Sequence, residues 1–201
     1  MQVKISKVIS TIFHPILIPT LGFFLLFHAG FYYSAITWEI KRYVLLVVLF
    51  STAILPLISV AILALNPKFD VAMNKSHDRI IPLLSSGIFY YIGYMLLDRL
   101  KAYPVFKLFL LASAIVIVVL VLISIKWKIS MHMTAIGGLT GTLFAVSFRT
   151  GTNPFWIIII VVLVSGLIGT ARMVLKKHNL QQLIAGYLLG FSVLYFVIYF
   201  I

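Results

Sequence analysis

The feature that most constrains this chain is the apolar run at residues 43–65, YVLLVVLFSTAILPLISVAILAL, which contains no Asp, Glu, Lys or Arg. As a helix it would extend about 34 Å, enough to cross the roughly 30 Å hydrocarbon core of a bilayer. Unpaired backbone groups are too costly in lipid for open strands. The run is therefore predicted to be a membrane-spanning helix.

Similar stretches without formal charges recur along the chain, at 80–97, 108–125, 129–148, 154–171 and 179–201. Residues 8–38 also lack Asp, Glu, Lys and Arg, but Pro15 and Pro19 are expected to kink or break the first part of this stretch. Hydrophobic residues make up 63% of the chain and charged residues 10%, which excludes an ordinary soluble domain. The sequence predicts an all-α, polytopic transmembrane bundle of six to seven helices.

The apolar stretches leave no room for a soluble catalytic module, so we expect residues 1–201 to form a single integral membrane domain. The start resembles a signal peptide, but no A-x-A-like cleavage site follows, which favours a retained first helix. We expect a multi-pass protein of the cell membrane, which in a bacterium is the inner membrane. The absence of Cys excludes disulfides and thiolate metal sites.

The net charge of +12 would favour nucleic-acid binding in a soluble chain. Here the basic residues lie almost entirely in short connections between apolar runs, where they contact anionic headgroups and set topology. We therefore expect membrane lipids as partners and no nucleic acid.

Acidic residues are scarce and form no DxxD pair, so the carboxylate clusters of magnesium–diphosphate enzymes are missing. We predict no metal site and no cofactor. The acids are Glu39, Asp70, Asp78 and Asp98.

Three connections between apolar runs hold most of the unusual polar residues: 74–82 (NKSHDRIIP), 126–132 (KWKISMH) and 172–182 (RMVLKKHNLQQ). Two apolar spans separate each connection from the next, so all three are predicted to lie on one side of the membrane. Each leads into a helix, and helix N-termini with added Lys and Arg side chains suit a phosphate group. The arrangement predicts an anion-binding site at headgroup level.

The third connection is specific about geometry. His178 and Gln182 are four residues apart and share a helix face, so Gln182 can accept a hydrogen bond from the His178 ring. The other ring nitrogen is then free to act as a nucleophile or base. His132 in the second connection is the natural second imidazole, able to protonate a leaving oxygen. By contrast, His14 and His28 match no motif and are expected to be packing or interfacial residues.

At these residues the chain resembles the type 2 phosphatidic-acid phosphatase superfamily, whose motifs are K-x6-R-P, P-S-G-H and S-R-x5-H-x3-D. The resemblance covers about residues 68–190. The third motif is kept as AR-x5-H-x3-Q at 171–182, with Gln182 in place of Asp. The second, ISMH at 129–132, keeps the Ser and His but lacks the Pro and Gly. The first, K-x3-R-x2-P at 75–82, has a shortened Lys–Arg spacing and a displaced Pro.

The resemblance implies a metal-independent membrane hydrolase that removes phosphate from a lipid phosphate or diphosphate. His178 would attack phosphorus and form a phosphohistidine, and His132 would protonate the leaving group. Phosphate-binding residues would be Lys75, Arg79, Ser130 and Arg172. Candidate substrates are undecaprenyl diphosphate, phosphatidic acid and phosphatidylglycerophosphate. The alternative, from another class, is a non-catalytic membrane protein that binds or transports anionic lipids or small anions.

Two points stay open at this level. Gln182 can fix the tautomer of His178 but cannot stabilise its imidazolium form as a carboxylate would, so either the rate is lower or Asp78 supplies the charge. The side of the membrane that the three connections face depends on whether the first apolar stretch crosses completely. The Gly-x3-Gly pairs at 137–141 and 186–190 indicate close helix packing, within the bundle or between chains.

Overall fold

The computed structural model describes residues 1–28, 30–66, 69 and 77–201, and these residues form helices and short connections with no strand. Short 3-10 turns lie at Tyr32–Ala35 and His77–Arg79, and a π turn at Phe50–Ile54 joins α3 to α4. The predicted all-α bundle is confirmed. The α-helices are α1 Gln2–Ile12, α2 Ile18–His28, α3 Trp38–Leu49, α4 Leu55–Leu63, α5 Ile80–Arg99, α6 Pro104–Ser124, α7 Met131–Thr150, α8 Phe155–Val174 and α9 Leu180–Phe200.

Six helical segments in the described ranges are long and apolar enough to cross a membrane. The first is the continuous segment Trp38–Leu63, and the other five are the helices α5 to α9. The helix α2 is also apolar but has only 11 residues, or about 16 Å, which is too short to cross the hydrocarbon core alone. Among the described residues, the first apolar stretch therefore does not supply a seventh complete span.

The first apolar stretch breaks where its prolines predict. Helix α1 ends at Ile12, and Pro19 is the second residue of α2, within the first helical turn where proline is tolerated. The α2 segment buries one face in the bundle, whereas Phe24 on its other face is exposed. The fully buried ring of Phe23 packs edge-on against Phe109 at a centroid distance of 5.1 Å. At the end of α2, the buried Lys41 ammonium donates a hydrogen bond to the Phe27 carbonyl at 3.3 Å.

The helix α7 is the centre of the bundle, and it packs against α9 backbone to backbone. Of the six spans it has the lowest mean hydropathy, 1.2, yet 72% of its most apolar window is buried. A Cβ atom added at Gly137 or Gly141 would overlap a carbonyl oxygen of α9, and one at Gly190 would overlap the Thr134 carbonyl of α7. The close packing predicted from the two Gly-x3-Gly pairs therefore lies within the bundle, between two helices that start at the same end.

We expect Gly190→Ala to lower the free energy of unfolding by about 1–3 kcal/mol, because its methyl group would push α7 and α9 apart. Thermal unfolding of the purified protein in detergent measures this effect.

Gly166→Ala in α8 is the matched control, since nothing lies within 4 Å of a Cβ atom at that position. The higher helix propensity of Ala should leave this variant as stable as the wild type or slightly more stable. Equal melting temperatures for Gly190→Ala and Gly166→Ala would contradict the proposed importance of this contact.

Candidate active site

The described parts of the three polar connections, which for the first begin at residue 77, meet at one end of the bundle and are joined directly by hydrogen bonds. The Arg79 guanidinium, at the end of the first connection, donates to the Ile129 carbonyl in the second at 3.2 Å. The Ser130 backbone N–H donates to the Gln182 carbonyl in the third at 3.3 Å. The even number of spans between the connections thus brings them to one end, as predicted.

A cavity of about 330 Å3 opens at this end and continues between the helices. Its polar part is lined by three imidazoles and two guanidiniums: His14, Arg79, His132, Arg172 and His178. Its deeper part is mainly apolar, and the π turn before Pro56 places Thr52 on the wall. The apolar lining includes Leu83, Phe109, Val116, Ile117, Leu120 and Leu194. The cavity therefore has a cationic and imidazole-rich mouth and a hydrocarbon-like interior.

His178 lies just before α9 and is held by the cap of that helix. Asn179 is the N-cap residue, and its side chain accepts from the Gln182 N–H at 2.9 Å. In return, the Gln182 side-chain oxygen accepts from the Asn179 N–H at 3.3 Å, which completes a capping box. Because a backbone N–H can only donate, this contact identifies the oxygen of the Gln182 amide.

The same amide oxygen fixes the tautomer of His178. Gln182 Oε1 lies 3.1 Å from His178 Nδ1 and can only accept, so Nδ1 carries the hydrogen. In the neutral ring, Nε2 then keeps its lone pair. The hydrogen bond expected from the four-residue spacing is present, and it leaves Nε2 of the neutral ring without a proton.

The surroundings of His178 favour its neutral form. Its side chain is only 8% exposed, and burial lowers its pKa to about 4. The hydrogen bond to Gln182 raises the pKa in part, whereas the positive charges of Arg172, Arg79 and Lys128 lower it. His178 is therefore an uncharged imidazole at neutral pH. Asp78 acts instead on Arg79, whose pKa it raises against the lowering caused by burial.

His132 lies in the first turn of α7 and is 9% exposed. Its Nε2 is 3.1 Å from the Ser10 carbonyl, which can only accept, so Nε2 carries the hydrogen and Nδ1 has the lone pair in the neutral ring. The Ser10 carbonyl belongs to the last turn of α1, where carbonyls lack an intrahelical partner. The His14 ring meets the His132 ring edge-on at a centroid distance of 5.6 Å.

The cations at the cavity differ in their contacts. Arg79 is 6% exposed, and one of its N–H groups donates a hydrogen bond to the Ile129 carbonyl. Arg172, in the last turn of α8, has a buried Nε–H without a hydrogen-bond partner among the described residues. Lys128 lies close enough that Arg79, Lys177 and Arg172 lower its pKa, after the larger lowering by burial. This concentration of positive charge suits an anionic ligand with several acceptor oxygens.

Not every residue predicted for the site lies at the cavity. Ser130 is 0% exposed, and its hydroxyl accepts the Met133 N–H at 3.5 Å as the N-cap of α7. Its hydroxyl is therefore not placed to bind a phosphate at the cavity. Gln182 acts through His178 rather than by lining the cavity. Lys75 lies outside the described residues.

Sequence reasoning missed the N-terminal contribution to the site. His14 was expected to be a packing or interfacial residue, but it lines the cavity and contacts His132. The signal that could have identified it is its position directly before Pro15, where a helix break exposes polar groups inside an apolar stretch. The Ser10 carbonyl has no such signal, because a backbone acceptor is common to every residue.

Comparison with known proteins gave no match to a family model, a curated protein or a solved structure. The resemblance to the phosphatase superfamily stays a prediction, based on the motif residues of the three connections.

We expect Gln182→Glu to raise the pKa of His178 from about 4 towards the ordinary 6.5, because a carboxylate stabilises the imidazolium form. Glu also serves in a capping box, so the start of α9 should be unchanged. Titration of histidine ring nitrogens by 15N NMR in micelles measures this shift.

The matched control is Gln181→Glu, which adds the same charge at the exposed neighbouring position. It should change the His178 pKa far less. Equal shifts in the two variants would mean that Gln182 does not hold the ring.

Proposed function

We propose that this protein is a metal-independent membrane phosphatase that hydrolyses a lipid phosphate or diphosphate through a phosphohistidine intermediate. The observation that carries the proposal is the neutral His178 ring, with Nε2 free of a proton, in one cavity with His132, Arg79 and Arg172. A covalent nucleophile, a second imidazole for proton transfer and two guanidiniums for charge stabilisation can together carry out metal-free phosphoryl transfer. The motif order in the sequence supports the same reaction class.

In the first step, the lone pair of His178 Nε2 attacks phosphorus, and the bond from phosphorus to the leaving oxygen breaks. His132, when protonated on both ring nitrogens, gives its Nδ1 proton to that oxygen. Arg79 and Arg172 bind the equatorial oxygens, where charge stabilisation contributes most to the rate. In the second step, water attacks the phosphohistidine, His132 Nδ1 takes a proton from the water, and the P–N bond electrons return to Nε2. The products are the dephosphorylated lipid and phosphate.

The shape of the cavity supports a lipid substrate. The phosphate-binding groups lie at its mouth, and the remaining wall is apolar and formed by membrane-spanning helices. A molecule with an anionic head and a hydrocarbon chain matches both parts. A free sugar phosphate or nucleotide would leave the apolar part unfilled.

The capture of lipid headgroups without chemistry is the competing function, because Arg79, Arg172 and Lys128 would attract any anionic headgroup. Binding alone, however, does not require a histidine held in one tautomer by a capped amide. The two functions differ in whether bound phosphate is released.

The purified protein in detergent with EDTA should release phosphate from at least one of undecaprenyl diphosphate, phosphatidic acid and phosphatidylglycerophosphate. His178→Ala should lower this release by about a thousandfold or more, as expected for a lost covalent nucleophile. Alkaline electrophoresis of the protein after reaction with 32P-labelled lipid should detect an acid-labile phosphoramidate in the wild type only.

His28→Ala is the matched control, since His28 is exposed, stacks on Phe24 and does not line the cavity. It should retain wild-type turnover. Lipid binding by the wild type that weakens with salt, without phosphate release from any of the three lipids, would replace the phosphatase proposal with the binding function.

A further inference from the structure

His14 stands in the turn between α1 and α2, at the mouth of the cavity. More than a third of this residue is exposed, whereas its neighbour His132 is 9% exposed. The two rings meet edge to face, with an interplanar angle of 78°. A buried imidazole is thus in contact with an imidazole that water can reach.

The Ser10 contact limits how His132 exchanges protons. The Nε2 hydrogen is held by a carbonyl in the last turn of α1, where the helix dipole adds partial negative charge. Proton uptake and release must therefore use Nδ1. The phosphatase reaction needs this nitrogen twice per turnover, first to give a proton and then to take one. The second transfer returns the proton that the first gave up, so exchange with water beyond the buried ring is needed to protonate the neutral resting ring at Nδ1 before the first step.

We propose that His14 is a proton-transfer residue that connects water at the cavity mouth with Nδ1 of His132. This inference rests on the proposed phosphatase function and adds a residue from outside the motif region. The Ile16 N–H donates to His14 Nδ1 at 3.5 Å, so the neutral ring carries its hydrogen on Nε2. In the proposed transfer, Nδ1 takes a proton as this long contact opens, and Nε2 releases its own proton. The two rings share no direct hydrogen bond, and their centroid separation of 5.6 Å is short enough for transfer through one water molecule.

The charges around His14 disfavour a stable protonated form of its ring. Burial of part of the ring lowers the His14 pKa, and the positive charge of Arg172 lowers it further. Arg79 and His178 line the same cavity, and Lys128 lies near both guanidiniums. These charges disfavour the protonated form of His14, and a phosphate anion in the cavity would offset them.

The test compares two leaving groups in single-turnover reactions of the full-length protein in detergent. An alkyl lipid phosphate needs a proton on its leaving oxygen, whereas 4-nitrophenyl phosphate has a leaving group that departs as the anion. His14→Phe keeps an aromatic edge against His132 but has no exchangeable nitrogen. We expect it to slow phosphohistidine formation from the alkyl substrate by about 10–100-fold. The rate with the aryl substrate should stay within about twofold of the wild type.

Two further variants separate proton transfer from packing. Added imidazole should restore the alkyl-substrate rate in His14→Ala, because the small molecule can occupy the vacated space and exchange protons. His28→Phe should match the wild type with both substrates. Equal slowing of both substrates by His14→Phe would overturn the proposal and indicate a packing role, and unchanged rates would overturn it outright.

A second measurement does not depend on turnover. The rate at which His132 interconverts between its neutral and doubly protonated forms, followed by 15N relaxation dispersion as the pH is lowered, should fall in His14→Phe and not in His28→Phe. A wild type that hydrolyses neither substrate would refute the phosphatase proposal. The interconversion rates would then decide separately whether His14 connects His132 to water, and an unchanged rate in His14→Phe would refute that connection.

Discussion

The backbone contact between α7 and α9 is the interaction on which the site depends. Side chains at Gly137, Gly141 or Gly190 would hold these two helices apart. Because the helices are close, the Ser130 N–H reaches the Gln182 carbonyl and fixes one helix start against the other. His132 follows one of these starts and His178 precedes the other, so the distance between the two imidazoles is set by glycine packing deep in the bundle.

The imidazoles of His178 and His132 have no help from a negatively charged partner, because each donates its hydrogen bond to a neutral oxygen. His178 is held by an amide oxygen and His132 by a backbone carbonyl. Neither acceptor carries a formal charge, while Arg79, Arg172 and Lys128 surround them with positive charge. Both rings are thus prepared for an anion that brings its own negative charge. Under the proposed phosphatase function, a bound phosphate would offset the positive charge around the two rings.

Much of this arrangement could be predicted from the sequence. The hydropathy of each run and the even number of spans between the polar connections do not depend on how the side chains pack. The uncharged runs predicted the spanning helices, and counting them predicted that Arg79, His132 and His178 lie at one end. The bond between His178 and Gln182 followed from helical spacing alone. The role of Ser130 could not be predicted, because a Ser before a helix serves equally well as a cap or as a ligand. The contacts of Ser10 and His14 depend on where a broken helix docks, which is a tertiary property with no local pattern.

The shortness of α2 has a consequence for how the site is assembled. An apolar helix of 11 residues cannot hold itself across a bilayer, so its position depends on the pocket that receives Phe23 and Phe27. That pocket exists only after α6 has joined the other spans. The six long helices can insert one by one during synthesis, whereas α2, although it precedes α6 in the chain, can dock only after α6 is in place. The segment that contains α1 and α2 therefore depends on α6 for its position, and it carries the Ser10 carbonyl that accepts the hydrogen bond from His132.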